Sequence, residues 1–198
     1  MTGRRIMPGA LGAVPVLLAA GPALAHSAAG MAGGLQSGLA HPLLGLDHLV
    51  AMVAVGLWGA FLGRPAIWLL PVVFPLVMAL GAALGIAGVP LPMVETGIAL
   101  SGVVLGLVVL LAFRAPLWLA AVLVGLFAIF HGHAHGTELP EAANPLAYAA
   151  GFIVGTGLLH AAGIALGYLT LLPRGDLIVR AAGGVIAVVG LAFLTGMA

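Results

Sequence analysis

Three side chains that could bind a metal, His41, Asp47 and His48, lie in an otherwise mostly apolar stretch from residue 41 to residue 60. Such a stretch could cross a bilayer as one helix, which needs about 20 residues at about 1.5 Å each. An aspartate near the middle of a membrane helix costs about 2.5–3.5 kcal/mol on insertion scales. Imidazole nitrogens beside a carboxylate are suitable ligands for a divalent transition metal. A hydrogen-bonded cluster that only joins helices is the structural alternative, but three polar groups so close together favour a function.

A second group of histidines lies further along the chain, in the sequence FHGHAHGTE. His131 and His135 are four residues apart and therefore share one helical face, a spacing that can chelate one ion. Glu138 continues this face. His133 points elsewhere, and a hydrogen bond is at least as good a prediction for it as a ligand role.

The first group raises a geometric problem that the sequence leaves open. His41 and His48 share a face of a regular helix, but they are about 10 Å apart along its axis. They can bind one ion together only if the helix unwinds around Gly45. Two sites in sequence are the alternative.

The composition identifies the class of protein in which these groups must act. Of the 198 residues, 63% are hydrophobic and 6% are charged, which predicts an integral membrane protein surrounded by lipid. The chain has no cysteine, so disulfides, thiolate ligands and cysteine nucleophiles are excluded. The net charge of +1 argues against nucleic acid as a partner.

The N-terminal segment predicts export. Residues 1–25 have an Arg4-Arg5 pair, a modest apolar core and a small-x-small cleavage site at Ala23-Leu24-Ala25, as a signal peptide does. Cleavage would leave His26 as the external N-terminus. Residues 26–40 are rich in glycine, alanine and serine and predict a flexible external leader.

The remaining residues, 41–198, predict a six-helix transmembrane domain, so the fold class is an all-α membrane bundle after a cleavable signal peptide. The predicted spans are about 42–62, 66–87, 93–112, 116–136, 145–170 and 177–196. The arginines of the mature chain all fall in alternate loops or at their edges, and they are Arg64, Arg114, Arg174 and Arg180. By the positive-inside rule these loops are cytoplasmic, and both mature termini are outside.

This orientation brings the polar residues of three spans to one depth, the outer part of the membrane. We predict a metal-uptake site there, formed by His41, Asp47, His48, Glu95, His131, His135 and Glu138. Weaker candidates are His26, His133 and the deeper His160, for which an inner relay and an interhelical hydrogen bond are equal alternatives. Phe74 lies between two prolines that should kink the second span, and we predict that it lines the ion path.

The stretch from residue 41 to residue 60, HPLLGLDHLVAMVAVGLWGA, resembles the first mature helix of the HupE/UreJ nickel permeases, HPxxGxDHxxAMxxVGxxA, with one residue of slack before the last alanine. FHGHAHGTE is similar to a second family segment. The resemblance implies a permease of a bacterial inner membrane that takes up Ni²⁺, or Co²⁺, for metalloenzymes such as hydrogenase or urease. It implies a transported ion as substrate, no resident cofactor and no enzymatic activity; self-association is left open.

An intramembrane hydrolase is the alternative function. Ser101 and His160 could form a serine–histidine pair, or histidine-bound zinc could activate water. Ser101, however, lacks the glycine two residues before it that rhomboid proteases have. If the protein is a transporter, replacing Ser101 with alanine should be nearly harmless.

Overall fold

The structure is a computed structural model that describes residues 34–138 and 144–198. These residues form seven α-helices and one short 3₁₀ turn, and no strand occurs among them. The helices are α1 (Gly34–Leu44), α2 (Leu46–Leu62), α3 (Ala66–Ile86), α4 (Val94–Leu110), α5 (Leu117–Glu138), α6 (Pro145–Gly167) and α7 (Gly175–Leu194). The 3₁₀ turn, Tyr168–Leu171, follows α6 directly.

The helix lengths agree with a protein that spans a membrane. Helices α3, α5, α6 and α7 are each long and apolar enough to cross a bilayer. Helices α1 and α2 could together form a fifth crossing, with a bend of 78° between them. Helix α4 is apolar but has only 17 residues. The predicted all-helical class is therefore confirmed, and four or five helices among the described residues could span a membrane. The six spans stay a prediction.

The burial pattern is that of a membrane bundle rather than a soluble one. Large apolar side chains such as Trp68, Leu76, Trp118 and Val188 are exposed around the outside of the helices. By contrast, all six histidines among the described residues are buried. Because lipid solvates apolar groups, polar groups collect in the interior of such a bundle.

Helix α1 begins earlier than the sequence predicts. Residues 34–40, which the sequence predicts as part of the flexible leader, are helical, and this part of the prediction is wrong. Residues 1–33, including the predicted signal peptide, lie outside the described residues. The reason is close packing against α6. A methyl group on Gly38 would overlap the carbonyl oxygen of Tyr148, and one on Gly151 would overlap that of Leu35. Glycines that suggested a flexible segment are instead used for helix contact.

Similar glycine contacts join the other helices in pairs. Helix α3 packs parallel to α5, with Gly81 against Ile129 and Gly132 against Met78. Helix α4 packs antiparallel to α7, where Gly106 meets Ala187. Helix α2 runs parallel to the second half of α6. These directions are those of a chain whose spans alternate across a membrane.

The arginines and the histidine-rich segments lie at opposite ends of this bundle. Arg64 and Arg114 line one cleft where α2 ends and α5 begins, and the guanidinium of Arg114 lies 5.0 Å from the ring centre of Phe61. Nε of Arg180 donates to the carbonyl of Leu110 at the end of α4, 2.8 Å away. The opposite ends of α2 and α5 carry the histidines described next.

Candidate metal centre

Four buried histidines from three helices meet in the interior, and we refer to His41, His48, His131 and His135 as the histidine cluster. The ring of His135 lies 4.8 Å from that of His41 and 4.8 Å from that of His48, measured between ring centres. His131 lies 4.8 Å from His48 on the other side. One ligand nitrogen from each of His41, His48 and His135 lies within 4.8 Å of the other two.

The break at Gly45 is what brings His41 and His48 together. Gly45 has an extended backbone, with φ of −76° and ψ of 105°, and separates α1 from α2 at the 78° bend. The two rings are 5.6 Å apart as a result. A continuous helix would separate them by about 10 Å along its axis. Of the two arrangements that the sequence left open, the structure has the broken helix start.

Asp47 orients the imidazole of His48. Oδ1 of Asp47 accepts from the backbone N–H of His48 at 2.8 Å and lies 2.9 Å from Nδ1 of the same residue. Because a carboxylate can only accept, Nδ1 carries the hydrogen. Nε2 of His48 is buried and has no hydrogen-bond partner among the described residues. Its lone pair is therefore available to a ligand, as it is when a carboxylate supports a metal-binding histidine.

Ser101 has the same effect on His131. Its hydroxyl donates to the carbonyl of Ile98 at 2.6 Å, and its oxygen lies 3.0 Å from Nε2 of His131. The one hydroxyl hydrogen is used at Ile98, so Nε2 of His131 must donate to the serine oxygen. This leaves the lone pair of Nδ1 without a partner in the described part of the chain. Sequence reasoning considered Ser101 only as a nucleophile; its depth in the third span, shared with the histidines, is the signal that could have placed it here.

Comparison with known proteins shows the family of this chain. The family model described as HupE / UreJ protein matches residues 14–193. The chain belongs to the HupE/UreJ family. It is also similar to the protein named Protein HupE of Rhizobium leguminosarum bv. viciae, with 48% identity over 176 residues that cover 88% of this chain and 92% of that protein. No solved structure is significantly similar to it.

HupE/UreJ proteins are associated with the transport of nickel and cobalt and are transport or accessory proteins rather than enzymes. The HupE/UreJ resemblance inferred from the two histidine segments is thus confirmed. The family does not favour the hydrolase alternative, and the geometry argues against its serine–histidine form. Ser101 contacts His131, whereas the ring of Phe74 lies between His131 and His160. Ser101 therefore pairs with His131 and not with His160, as the hydrolase alternative would require, because α4 presents the serine to α5.

The two predicted glutamates lie nearer the surface than the histidine cluster. Oε2 of Glu138 is 3.9 Å from Nδ1 of His135, and the Glu138 side chain is 31% exposed. Glu95 is exposed in the first turn of α4, where Gly97 packs against the ring of Phe130. Glu138 is thus at the rim of the histidine cluster.

The weaker candidates have separate positions. Nε2 of His133 donates to the carbonyl of Val89 at 2.8 Å, on the side of α5 that faces the end of α3, as its spacing indicated. His26 lies outside the described residues. Phe74, the predicted path-lining residue, is fully buried and its ring meets those of His131 at 5.6 Å and His160 at 5.5 Å, measured between ring centres.

Proposed function

We propose that this chain is a membrane permease that binds a divalent transition-metal ion at the histidine cluster and carries it into the cell. Ni²⁺ is the substrate we propose, with Co²⁺ as the second ion that the same ligands accept. Asp47 and Ser101 hold two of the imidazoles in the tautomers that offer a lone pair. Glu138, and Glu95 at the start of α4, attract the cation at the surface.

The observation that carries this proposal is the spacing of the three ligand nitrogens of His41, His48 and His135, within 4.8 Å of one another. Ligands at about 2.1 Å from one ion are at most about 4.2 Å apart, so binding requires side-chain shifts of under about 1 Å. Rotation about the side-chain torsions can supply such shifts without moving a helix. The lack of cysteine means that the site has nitrogen and oxygen ligands, which suit nickel and cobalt.

The driving force that we propose is the membrane potential. A doubly charged ion gains about 4.6 kcal/mol for each 100 mV when the inside is negative, since each unit charge gains about 2.3 kcal/mol. Uptake of a scarce cation needs no other energy source under these conditions. The supply of the metal to hydrogenase or urease is the corresponding cellular role.

The proposed location is a bacterial inner membrane, with six spans, a signal peptide cleaved after Ala25 and both mature termini outside. Support comes from the positions of Arg64 and Arg114 at one end of the bundle and of the histidine cluster towards the other. By the positive-inside rule the arginine end is cytoplasmic, so the histidines face the source of the ion.

The test is ⁶³Ni²⁺ uptake by cells of a nickel-uptake-deficient host that express the wild type, His135→Gln or His133→Gln. The two variants remove neighbouring histidines of α5, one in the cluster and one bonded to the carbonyl of Val89. We expect restored uptake with the wild type and with His133→Gln, and a loss of about 10-fold or more with His135→Gln.

The membrane content of each protein is measured by immunoblot so that loss of uptake is separated from loss of protein. Failure of the wild type to raise uptake above that of the empty host, at confirmed insertion, would overturn the proposal. Equal uptake by the wild type and His135→Gln would remove the histidine cluster from it.

A further inference from the structure

A second group of buried polar atoms lies on the far side of Phe74 from the histidine cluster. His160 in α6 is 2% exposed, and neither of its ring nitrogens makes a hydrogen bond with any described residue. Thr156 precedes it by one helical turn, is fully buried, and its hydroxyl also has no partner among the described residues. Residues four apart share a helical face, so both side chains belong to one surface of α6.

The facing helix adds a backbone oxygen to this group. Pro75 of α3 has no N–H, so it cannot donate to the carbonyl of Pro71 four residues earlier, as another residue would in a helix. His160 lies against this carbonyl without a well-oriented hydrogen bond to it. The proline therefore exposes an acceptor on α3 at the place where α6 presents a histidine.

Such a concentration of polar atoms without partners is costly. A buried polar group without a hydrogen bond destabilises a fold, and hydrocarbon surroundings offer no water to relieve it. A structural histidine in a bundle would be expected to donate to a carbonyl, as His133 does to that of Val89. His160 does not, although the Pro71 carbonyl is adjacent. A cation that is coordinated by a nitrogen lone pair and by oxygen atoms would account for this arrangement.

Phe74 connects this group to the histidine cluster. Its ring makes edge contacts with the imidazoles of His131 and His160, at 5.6 Å and 5.5 Å between ring centres. The ring is fully buried, so it fills the space between the two imidazoles. An ion that moves from His131 towards His160 must pass this one side chain.

We propose that His160, Thr156 and the carbonyl oxygen of Pro71 form a second binding site for the transported divalent cation, separated from the histidine cluster by Phe74. This inference rests on the proposed function. The site has one imidazole, a hydroxyl and a carbonyl, with no carboxylate among the residues that form it. It therefore binds the ion more weakly than the histidine cluster, as an inner site must if the ion is to be released.

The direct test counts bound ions. The purified full-length protein is titrated with Co²⁺, whose visible absorption reports coordination by nitrogen, and with Ni²⁺ by equilibrium dialysis. We expect two ions for each wild-type chain, one bound tightly and one weakly. For His160→Gln we expect only the tight ion, with its affinity within about twofold of the wild type because the histidine cluster is intact. For His135→Gln we expect the tight ion to be lost.

Uptake in the same host completes the test. His160→Gln should lower the rate of Ni²⁺ uptake by about 10-fold or more at saturating metal. Thr156→Val keeps the shape of the side chain and the histidine, and should weaken only the second ion. His133→Gln is the matched control and should change neither the number of ions nor the rate.

The outcomes separate the two proposals. One ion bound by a wild type that transports, with unchanged binding and rate in His160→Gln and Thr156→Val, overturns the inner site and leaves the permease proposal standing. A wild type that neither binds nor transports the metal overturns both. If His160→Gln does not fold, loss of the weak ion in Thr156→Val supports the inner site, and retention of that ion at wild-type affinity contradicts it.

Discussion

One carboxylate oxygen of Asp47 accepts two hydrogen bonds from the residue that follows it, His48, at 2.8 Å from the backbone nitrogen and 2.9 Å from Nδ1. The first bond lies in the opening turn of α2, directly after the break at Gly45. The second leaves Nε2 of His48 without a hydrogen-bond partner among the described residues. The aspartate thus both helps to start the helix and determines the chemistry of its first histidine.

Asp47→Asn should therefore lower metal uptake by about 10-fold to 100-fold, which is the usual cost of losing a residue that supports a metal ligand. The amide keeps the shape but removes the negative charge that stabilises a dication near His48. Uptake of ⁶³Ni²⁺, corrected for inserted protein, measures the effect. Asp176→Asn, at the exposed start of α7, is the control. An unchanged rate in Asp47→Asn would show that the aspartate is structural.

Ser101→Ala should weaken Co²⁺ binding by about 10-fold, because Nε2 of His131 loses the oxygen that holds its hydrogen. This replaces the expectation from sequence that the substitution is nearly harmless. Titration of the purified protein gives the affinity. Thr137→Ala is the matched control, since its hydroxyl donates to the carbonyl of Ala134 in its own helix. Equal affinities in the wild type and Ser101→Ala would mean that His131 is not a ligand.

Gly38→Ala should displace α1 and with it His41, one turn further along. The added methyl group would overlap the carbonyl oxygen of Tyr148 in α6, and overpacking of this kind costs about 1–3 kcal/mol. We expect a lower unfolding temperature and weaker metal binding, measured on the same purified sample. Gly157→Ala is the comparison, because no neighbouring helix in the described part of the chain lies within 4 Å of a methyl group there. Wild-type values of both quantities in Gly38→Ala would contradict the packing of α1 on α6.

A cysteine pair at positions 48 and 135 should bind Cd²⁺, since the two imidazoles that they replace lie 4.8 Å apart. The chain has no cysteine of its own, so maleimide labelling reports only on the two introduced thiols. Protection of both thiols from maleimide by Cd²⁺ is the expected result. The pair at 48 and 133 should remain reactive, because His133 faces Val89 instead. If both cysteine pairs react equally with maleimide in the presence of Cd²⁺, the packing of α2 against α5 is contradicted.

The mature protein should begin at His26. The cleavage site Ala23-Leu24-Ala25 and the external start inferred from the arginines both lead to this prediction. Intact-mass measurement of the protein purified from membranes distinguishes the two forms. A mass that includes residues 1–25 would show that the segment stays attached.

The sequence was sufficient to locate most helices and several site residues, since both depend on local patterns. The predicted spans from residue 66 onwards differ from α3 to α7 by three residues or fewer at each end, because hydropathy and prolines act along the chain. The spacing of four residues predicted that His131 and His135 share one helical face. The same rule predicted that His133 points away from that face.

The tertiary structure alone decided how the candidates combine. The break at Gly45 brings His41 close to His48. The position of α4 places Ser101 in hydrogen-bond contact with His131. The ring of Phe74 lies between His131 and His160. None of these follows from helical periodicity, because each depends on which turn of one helix meets which turn of another. Close contacts at glycines such as Gly38 and Gly132 determine which helical turns pack together. The segments in contact are about 50 to 110 residues apart in the sequence, so a local sequence pattern cannot predict the contact.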